Sequence, residues 1–193
     1  MESKHDFSDL LFAMATGSPG HVEVIRSHLE MRDVGALRPA RPPLDAPTLT
    51  RERLSPNEYR ELYSLVGGPY QWHDRLLLGD AELDAYFSSP NVHLWTLRVA
   101  GQLAGYFELQ RYSDMGVEIM YFGLAPSFIG RGLGGWLLTR AVQESFALSA
   151  SRVNVHTCTL DSPHALPNYL ARGFVIVREE RYFHEMKSTT QSP

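Results

Sequence analysis

A run of four glycines within six positions is the clearest candidate for a binding site in this sequence. Residues 130–135 read Gly-Arg-Gly-Leu-Gly-Gly and lie between a predicted strand and a predicted amphipathic helix, whose apolar stripe includes Leu137 and Val142. The first turn of a helix has unpaired N–H groups and a partial positive charge, which together favour a phosphate. Glycine lets the backbone approach such a group closely. The run therefore predicts an anion-binding loop.

Several interpretations of this loop compete. A Walker loop needs a lysine beside serine or threonine, whereas the only lysines are Lys4 and Lys187. The dinucleotide pattern G-x-G-x-x-G is matched literally, but Arg152 stands where an acidic residue is expected and only residues 136–193 follow the loop. A merely tight turn would not need so many glycines. The dinucleotide site and the tight turn remain as weaker alternatives.

Two carboxylates lie on neighbouring predicted strands and are candidates for acid–base chemistry. Strict alternation places Glu118 on the same strand face as Met120 and Phe122, where apolar surroundings would raise its pKa and make it a plausible base. The alternative is a carboxylate that is paired with an arginine. Glu108 is the second candidate base, or a group that binds a cationic acceptor.

A histidine and the single cysteine share one face of another predicted strand. His156 and Cys158 are separated by one residue, and a cysteine nucleophile would permit a two-step transfer. A buried thiol beside a satisfied histidine is the simpler interpretation. A further cluster, Trp72 and His73 within residues 70–75, occupies a predicted loop, where functional side chains are common. A packed loop sealed by Trp72 is the alternative.

The elements that position these residues predict an α/β fold with a mixed sheet. Residues 1–45 are predicted to be an N-terminal extension with a proline-rich linker at 37–43, residues 46–188 the domain, and residues 189–193 a disordered tail. Residues 22–31 are ambiguous between strand and helix. Strands are predicted at 48–54, 92–99, 103–111, 117–124, 152–158, 174–177 and 182–186, and helices at 56–66, 81–87, from the glycine loop to about 148, and up to 172.

Composition narrows the class of protein. The formal net charge of -4 gives no indication of a nucleic-acid surface. One cysteine excludes an intrachain disulfide and favours a reducing compartment, so we expect a cytoplasmic protein. No apolar run is long enough for a membrane span, and the dispersed histidines show no metal-ligand spacing, so we expect neither a membrane partner nor a metal.

Two motifs resemble those of the GNAT superfamily of acetyltransferases. Residues 118–126 followed by residues 130–138 resemble its acetyl-CoA motif Arg/Gln-x-x-Gly-x-Gly/Ala, with Gly132 and Gly134 as the motif glycines. Residues 169–174 resemble its Tyr-x-x-x-Gly-Phe motif. The resemblance covers about residues 49–186. Ile129 stands where the family has arginine or glutamine, so Arg131 would have to supply that contact, and Ser162 stands where many relatives have asparagine.

The resemblance implies a GNAT fold: a mixed, mostly antiparallel sheet of six to seven strands flanked by helices, with a splayed strand pair that holds the pantetheine arm. It implies acetyl transfer from acetyl-CoA to a primary amine of a small molecule or peptide, by direct attack in a ternary complex. Dimerisation is a habit of the family. The alternative is a non-catalytic module of the same fold that senses acyl-CoA or binds a partner.

The resemblance also implies roles for individual residues. Glu118 has the spacing of the family's base, and Tyr169 is the expected acid, because a phenol with a pKa near 10 matches a thiolate. Trp72 and His73 lie where the family builds one wall of the acceptor site. The expected coenzyme-binding residues are Phe122, Gly123, Leu124, Ile129, Gly130, Arg131, Gly132, Leu133, Gly134 and Gly135.

Overall fold

A seven-stranded mixed sheet forms the centre of the protein in the computed structural model, which describes residues 21–44 and 46–185. Its strand order is β2-β3-β4-β5-β6-β1-β7. Only β5 and β6 pair in parallel, and the other neighbours are antiparallel. The predicted mixed, mostly antiparallel sheet is confirmed. The strands are β1 (His21–Met31), β2 (Thr48–Arg51), β3 (Val92–Val99), β4 (Gln102–Arg111), β5 (Gly116–Leu124), β6 (Arg152–Cys158) and β7 (Val175–Glu185).

Within the described residues, four α-helices cover the sheet: α1 (Pro56–Gly67), α2 (Asp80–Ser88), α3 (Leu133–Ala147) and α4 (Ala165–Ala171). The first begins where the sequence predicts, because Ser55 caps it and the Ser55 N–H donates in return to the Glu58 carboxylate. Such a capping box stabilises a helix by about 1 kcal/mol. The bounds of α1 and α3 thus follow from local signals.

In the part of the chain that the structure describes, two separate apolar cores lie on the two faces of the sheet. The larger one joins α3 and α4 to the sheet and includes Phe107, Ile119 and Leu137. The smaller one joins α1 and α2 to the opposite face and is rich in tyrosine, including Tyr59, Tyr63 and Tyr106. Side chains of each central strand therefore face one of two chemically different layers.

The segment that was ambiguous between strand and helix is a strand within the sheet. β1 pairs with β6 on one side and β7 on the other, and Val24, Leu29 and Met31 are buried. The extension predicted for residues 1–45 therefore contributes a strand to the domain. Its partners come more than 100 residues later in the chain, so no local pattern identifies them.

The last strand is continuous, whereas two short strands at 174–177 and 182–186 were predicted. The polar residues 178–181 suggested a break, but they pair with residues 25–28 of β1. Arg26 Nη1 donates to Glu180 Oε1 at 3.1 Å, and Ser27 Oγ donates to Glu179 Oε1 at 3.0 Å. Cross-strand polar bonds thus replace the turn that the composition suggested.

The proline-rich segment 37–43 forms neither a helix nor a strand, and it lies against the helices. The Arg38 N–H donates to the Arg172 carbonyl at 3.0 Å, and the Ala40 N–H donates to Thr139 Oγ1 at 3.0 Å. The disordered tail predicted for residues 189–193 falls outside the described residues.

Candidate functional site

A cavity opens where the two parallel strands separate. β5 and β6 pair from Gly116 with Arg152 to Ile119 with Val155, after which β6 continues beside β1 alone. The space between them belongs to a cavity of about 780 Å³. Its lining reaches the glycine loop at Gly130 and the opposite sheet face at Trp72. The sheet therefore has the splayed strand pair that the resemblance implied.

A bulge in β5 determines which side chains face which layer. Glu108 pairs with Tyr121 and Leu109 with Ile119, so Met120 is an extra residue. The alternation is reset there: Tyr121 packs on Tyr63 in the tyrosine-rich core, whereas Phe122 packs near Tyr169 in the other core. The prediction that Glu118 and Phe122 share a face is therefore wrong, because it assumed a regular strand.

The glycine loop has the geometry of an anion site. Gly130 and Gly132 have φ values of 83° and 75°, in the left-handed region that favours glycine. Gly132 is the N-cap of α3, and no side chain among the described residues caps this helix. Gly134 and Gly135 line the cavity. A 15-residue helix thus begins at the cavity, and the first N–H groups of a helix favour an anion.

Positive charge near this loop comes from two arginines. The Arg131 guanidinium lies over the Phe128 ring, 5.0 Å from its centroid. Arg172 lies against Gly135, so that a Cβ at this glycine would collide with its Nη1. Arg172 is inside the Tyr-x-x-x-Gly-Phe motif, yet it was not predicted from the sequence, because only the fold brings α4 to the start of α3.

Two apolar residues of the loop region differ in exposure. Ile129 is 45% exposed and also lines the cavity. Leu133 is buried, so only its backbone can face a ligand.

Glu118 lies beside the cavity as one half of a hydrogen-bonded pair. His156 Nδ1 is 3.1 Å from Glu118 Oε1, and Tyr112 Oη donates to Glu118 Oε2 at 3.1 Å. The His156 hydrogen bond lowers the pKa of Glu118, against the opposing effect of burial. The expected rise in its pKa is therefore wrong, because polar partners surround the carboxylate. Of the two residues, His156 lines the cavity.

Glu108 is a fully buried structural carboxylate. It accepts hydrogen bonds from Tyr59 Oη at 2.7 Å, Tyr86 Oη at 2.6 Å and Arg75 Nη2 at 2.7 Å. Its side chain is 0% exposed. The cation that it binds is thus Arg75 of the same chain, and the expected roles as a base or as an acceptor-binding group do not fit this burial.

Tyr169 lies in the cavity wall on α4 and is 5% exposed. Its ring packs on Phe174 at 6.0 Å between centroids. Burial raises its pKa above the ordinary value, and the negative charge of Asp161 adds to the rise. The phenol therefore stays protonated, but its pKa is higher than the value near 10 on which the expected match with a thiolate rested.

Trp72 and His73 line the cavity from the tyrosine-rich layer. The indole packs between Tyr63 and Tyr121, and its Nε1–H donates to Asp161 Oδ1 at 3.2 Å. His73 Nε2 is buried and has no hydrogen-bond partner among the described residues. Trp72 thus forms a fixed wall, while His73 retains an unused polar atom.

Cys158 also lines the cavity and is a free cysteine of intermediate exposure.

Within residues 21–44 and 46–185, no three histidine, cysteine, aspartate or glutamate side chains lie close enough together to hold a metal ion. In the same part of the chain, no helix has both the length and the apolar character needed to cross a bilayer.

Solved structures with the same fold include several acetyltransferases. A GCN5-related N-acetyltransferase from Kribbella flavida superposes with a TM-score of 0.60 at 15% identity, over 92% of this chain and 62% of that one. The enzyme of that name from Sphaerobacter thermophilus gives a TM-score of 0.64 at 15% identity, over 94% and 56% of the two chains. A Bacillus subtilis acetyltransferase in complex with CoA gives 0.52 at 21% identity, over 67% and 76%.

At such low sequence identities, these similarities show a shared fold and nothing more. The chain spans less than two thirds of the length of the Kribbella and Sphaerobacter proteins. Among curated proteins, none matches the sequence. The sequence does match the family described as "Acetyltransferase (GNAT) family" over residues 58–174, more than half of the chain. That family consists of acyltransferases that take the acyl group from acyl-CoA. The chain belongs to the GNAT acetyltransferase family.

Proposed function

We propose that the protein transfers an acetyl group from acetyl-CoA to a primary amine of a small molecule or peptide, by direct attack in a ternary complex. One observation carries the proposal: a single cavity reaches both the glycine loop and the Trp72 wall through the gap between β5 and β6. A thioester donor that enters from the loop and an amine that enters from the opposite face of the sheet can meet in this gap.

The loop residues fit the coenzyme's pyrophosphate. Left-handed backbone at Gly130 and Gly132 and the uncapped start of α3 provide N–H donors, and a Cβ at Gly134 would have only ordinary contacts at 3.7 and 4.0 Å. Arg131 and Arg172 would add positive charge beside these donors. We propose that the loop holds the pyrophosphate while the backbone of Phe122, Gly123 and Leu124 faces the pantetheine arm.

The coenzyme supplies an acyl group on a thioester. The chain must orient that group, accept a proton from the amine and provide a proton for the departing sulfur. Tyr169 is the proposed proton donor, because it lines the cavity and burial keeps its phenol protonated. Glu118 is proposed to belong to the proton-accepting side, together with the histidine to which it is hydrogen-bonded.

Calorimetric titration with acetyl-CoA, with NAD as the control ligand, tests the proposal. We expect saturable binding of acetyl-CoA and none of NAD. Gly134→Trp should abolish acetyl-CoA binding, because the indole would extend from the loop into the cavity. Gly79→Trp is the matched control, since Gly79 is exposed and outside the cavity lining, and it should bind normally. Unchanged binding by folded Gly134→Trp would contradict the loop assignment.

The raised pKa of Tyr169 favours one other function, a sensor that binds acyl-CoA without turnover, because a phenol that holds its proton tightly is a weak acid. A thiol-release assay with a panel of primary amines separates the two functions. Release of CoA in the presence of any amine supports the enzyme. Tight acetyl-CoA binding without release throughout the panel supports the sensor.

A further inference from the structure

His156 occupies the position at which the sheet opens. It is the first residue of β6 beyond the last pair with β5, Ile119 with Val155. Its side chain is 39% exposed and lines the cavity, on the strand face opposite to the buried Val155 and Thr157. An imidazole at this point borders the gap in which donor and acceptor would meet.

The Glu118 hydrogen bond fixes the state of the imidazole ring. An ionised carboxylate only accepts hydrogen bonds, so His156 Nδ1 must donate its proton to Glu118 Oε1. The other carboxylate oxygen accepts from Tyr112 Oη. The neutral ring then has its lone pair on Nε2, and this atom has no hydrogen-bond partner among the described residues.

Glu118 and His156 differ in their suitability as the proton acceptor. The hydrogen bond from His156 lowers the pKa of Glu118, which makes this carboxylate a weak proton acceptor near neutral pH. An imidazole is the side chain whose ordinary titration lies closest to neutrality. Geometry agrees with this division, because His156 lines the cavity whereas Glu118 stands behind it.

We propose that His156 Nε2 accepts the proton that the acceptor amine loses, and that Glu118 is a positioning residue that holds the ring in its Nδ1–H form. This inference rests on the proposed function. In the transfer, the amine nitrogen forms a bond to the acyl carbon and the carbon–sulfur bond breaks, its electron pair remaining on sulfur. One N–H proton passes to Nε2, Tyr169 protonates the sulfur, and exchange with solvent restores both residues.

Several charged or titratable groups face His156 and enter any pH dependence. Outside the pair, His28 of β1 has its ring centroid 5.9 Å from that of His156, and its Nε2 lies 3.2 Å from Glu180 Oε1. Tyr112 contacts Glu118, and Arg178 contacts His28. The charged or titratable groups that line the same cavity include Arg26, Cys158, Tyr182, His184, His73, Asp74, Asp161 and His164.

The test compares the wild type with His156→Gln, Glu118→Gln and the control His21→Gln, an exposed histidine outside the cavity lining. Each protein is titrated with acetyl-CoA by calorimetry, and thiol release is then followed against pH with benzylamine as the acceptor probe. Nitrogen-15 NMR of the His156 ring reports its tautomer independently of activity.

We expect acetyl-CoA affinity to be unchanged in all variants. His156→Gln should lower kcat by about 100-fold or more and remove the acid limb of the pH profile. Glu118→Gln should have a smaller effect on kcat and mix the ring tautomers, because an amide side chain can donate as well as accept and no longer requires a donor at Nδ1.

Full activity of His156→Gln at every pH, or an Nε2–H tautomer in the wild type, would overturn the assignment of His156. A wild-type protein that fails to bind acetyl-CoA, or binds it without thiol release throughout the panel of primary amines, would instead overturn the proposed function and this inference with it. Loss of acetyl-CoA affinity in His156→Gln would show that the residue serves binding and not proton transfer.

Discussion

Glu108 and Glu118 lie on adjacent strands, yet their surroundings give them different chemistry. Glu108 is enclosed by two phenols and a guanidinium on the tyrosine-rich side, which leaves no route to a substrate. Glu118 stands at the edge of the cavity with a histidine in front of it. Sequence alone identified both carboxylates but could not distinguish them, because their partners come from distant segments.

Arg75 neutralises the buried Glu108, so its loss should be costly. Burial opposes charge on Arg75, but the adjacent Glu108 raises its pKa above the ordinary value and keeps it cationic. Arg75→Met should lower the free energy of unfolding by about 3–5 kcal/mol, because it leaves an unpaired buried carboxylate. Urea denaturation measures this. Adding Glu108→Gln should recover part of the loss, and the exposed Arg53→Met is the control. A loss below about 1 kcal/mol would contradict the structural role of the pair.

The lowered pKa of Glu118 predicts a pH-dependent contribution to stability. A carboxylate whose pKa is depressed by folding stabilises the protein fully above its ordinary pKa of 4.5, and this contribution is lost as the pH falls through the folded-state value. The stability difference between wild type and Glu118→Gln should therefore be level from about pH 6 to 5 and shrink towards pH 3. Denaturant titrations at each pH measure it. A difference that stays constant down to pH 3 would be inconsistent with the lowered pKa.

Elements with local signals were predictable, and those that depend on a partner strand were not. The Ser55 cap, the β3–β4 hairpin and the glycine loop before α3 are all encoded within a few neighbouring residues. The bulge at Met120 is a property of the register between β4 and β5. A regular alternation therefore placed Glu118 on the same face as Phe122, which the bulge prevents.

The contact between β5 and α1 depends on a glycine. A Cβ at Gly123 would overlap the Val66 side chain. Gly123→Ala should therefore destabilise the protein by about 1–3 kcal/mol, as overpacking does in a well-packed core. In the double variant with Val66→Ala, the clash is absent, so the combined loss should be smaller than the sum of the single losses. Thermal denaturation of the four proteins checks this, and strict additivity would exclude a direct clash.

β1, the segment that the sequence left ambiguous between strand and helix, joins β6 to β7 at one end of the sheet. β1 comes first among the described elements but lies between β6 and β7, which come near the end. Its hydrogen-bonding partners are thus specified by topology and not by neighbouring residues, and the proline-rich segment after it suggested a boundary. The match to the family begins at residue 58 and likewise leaves this strand out. Dimerisation, which the resemblance implies as a habit of the family, stays a prediction.

A chain reduced to residues 46–193 should not fold. Without β1, the strands β6 and β7 lose their common partner, and the buried Leu29 and Met31 leave the larger core. Circular dichroism and proton NMR of this fragment should show the loss of cooperative tertiary structure, with the full chain as the reference. A cooperative unfolding transition in the fragment would mean that β1 is an addition to a domain that is stable without it.

Because Met120 is an extra residue in β5, the strand can lose one residue at this point and still present the later side chains to the same faces. Losing one residue inside a regular strand turns every later side chain to the opposite face. Here Ile119 and Tyr121 already pair with the consecutive residues Leu109 and Glu108. A single-codon deletion of Met120 would therefore preserve the faces of Tyr121, Phe122 and Gly123 while it straightens the strand. Natural relatives that lack this residue would keep both cores, and the difference would fall on the shape of the opening between β5 and β6.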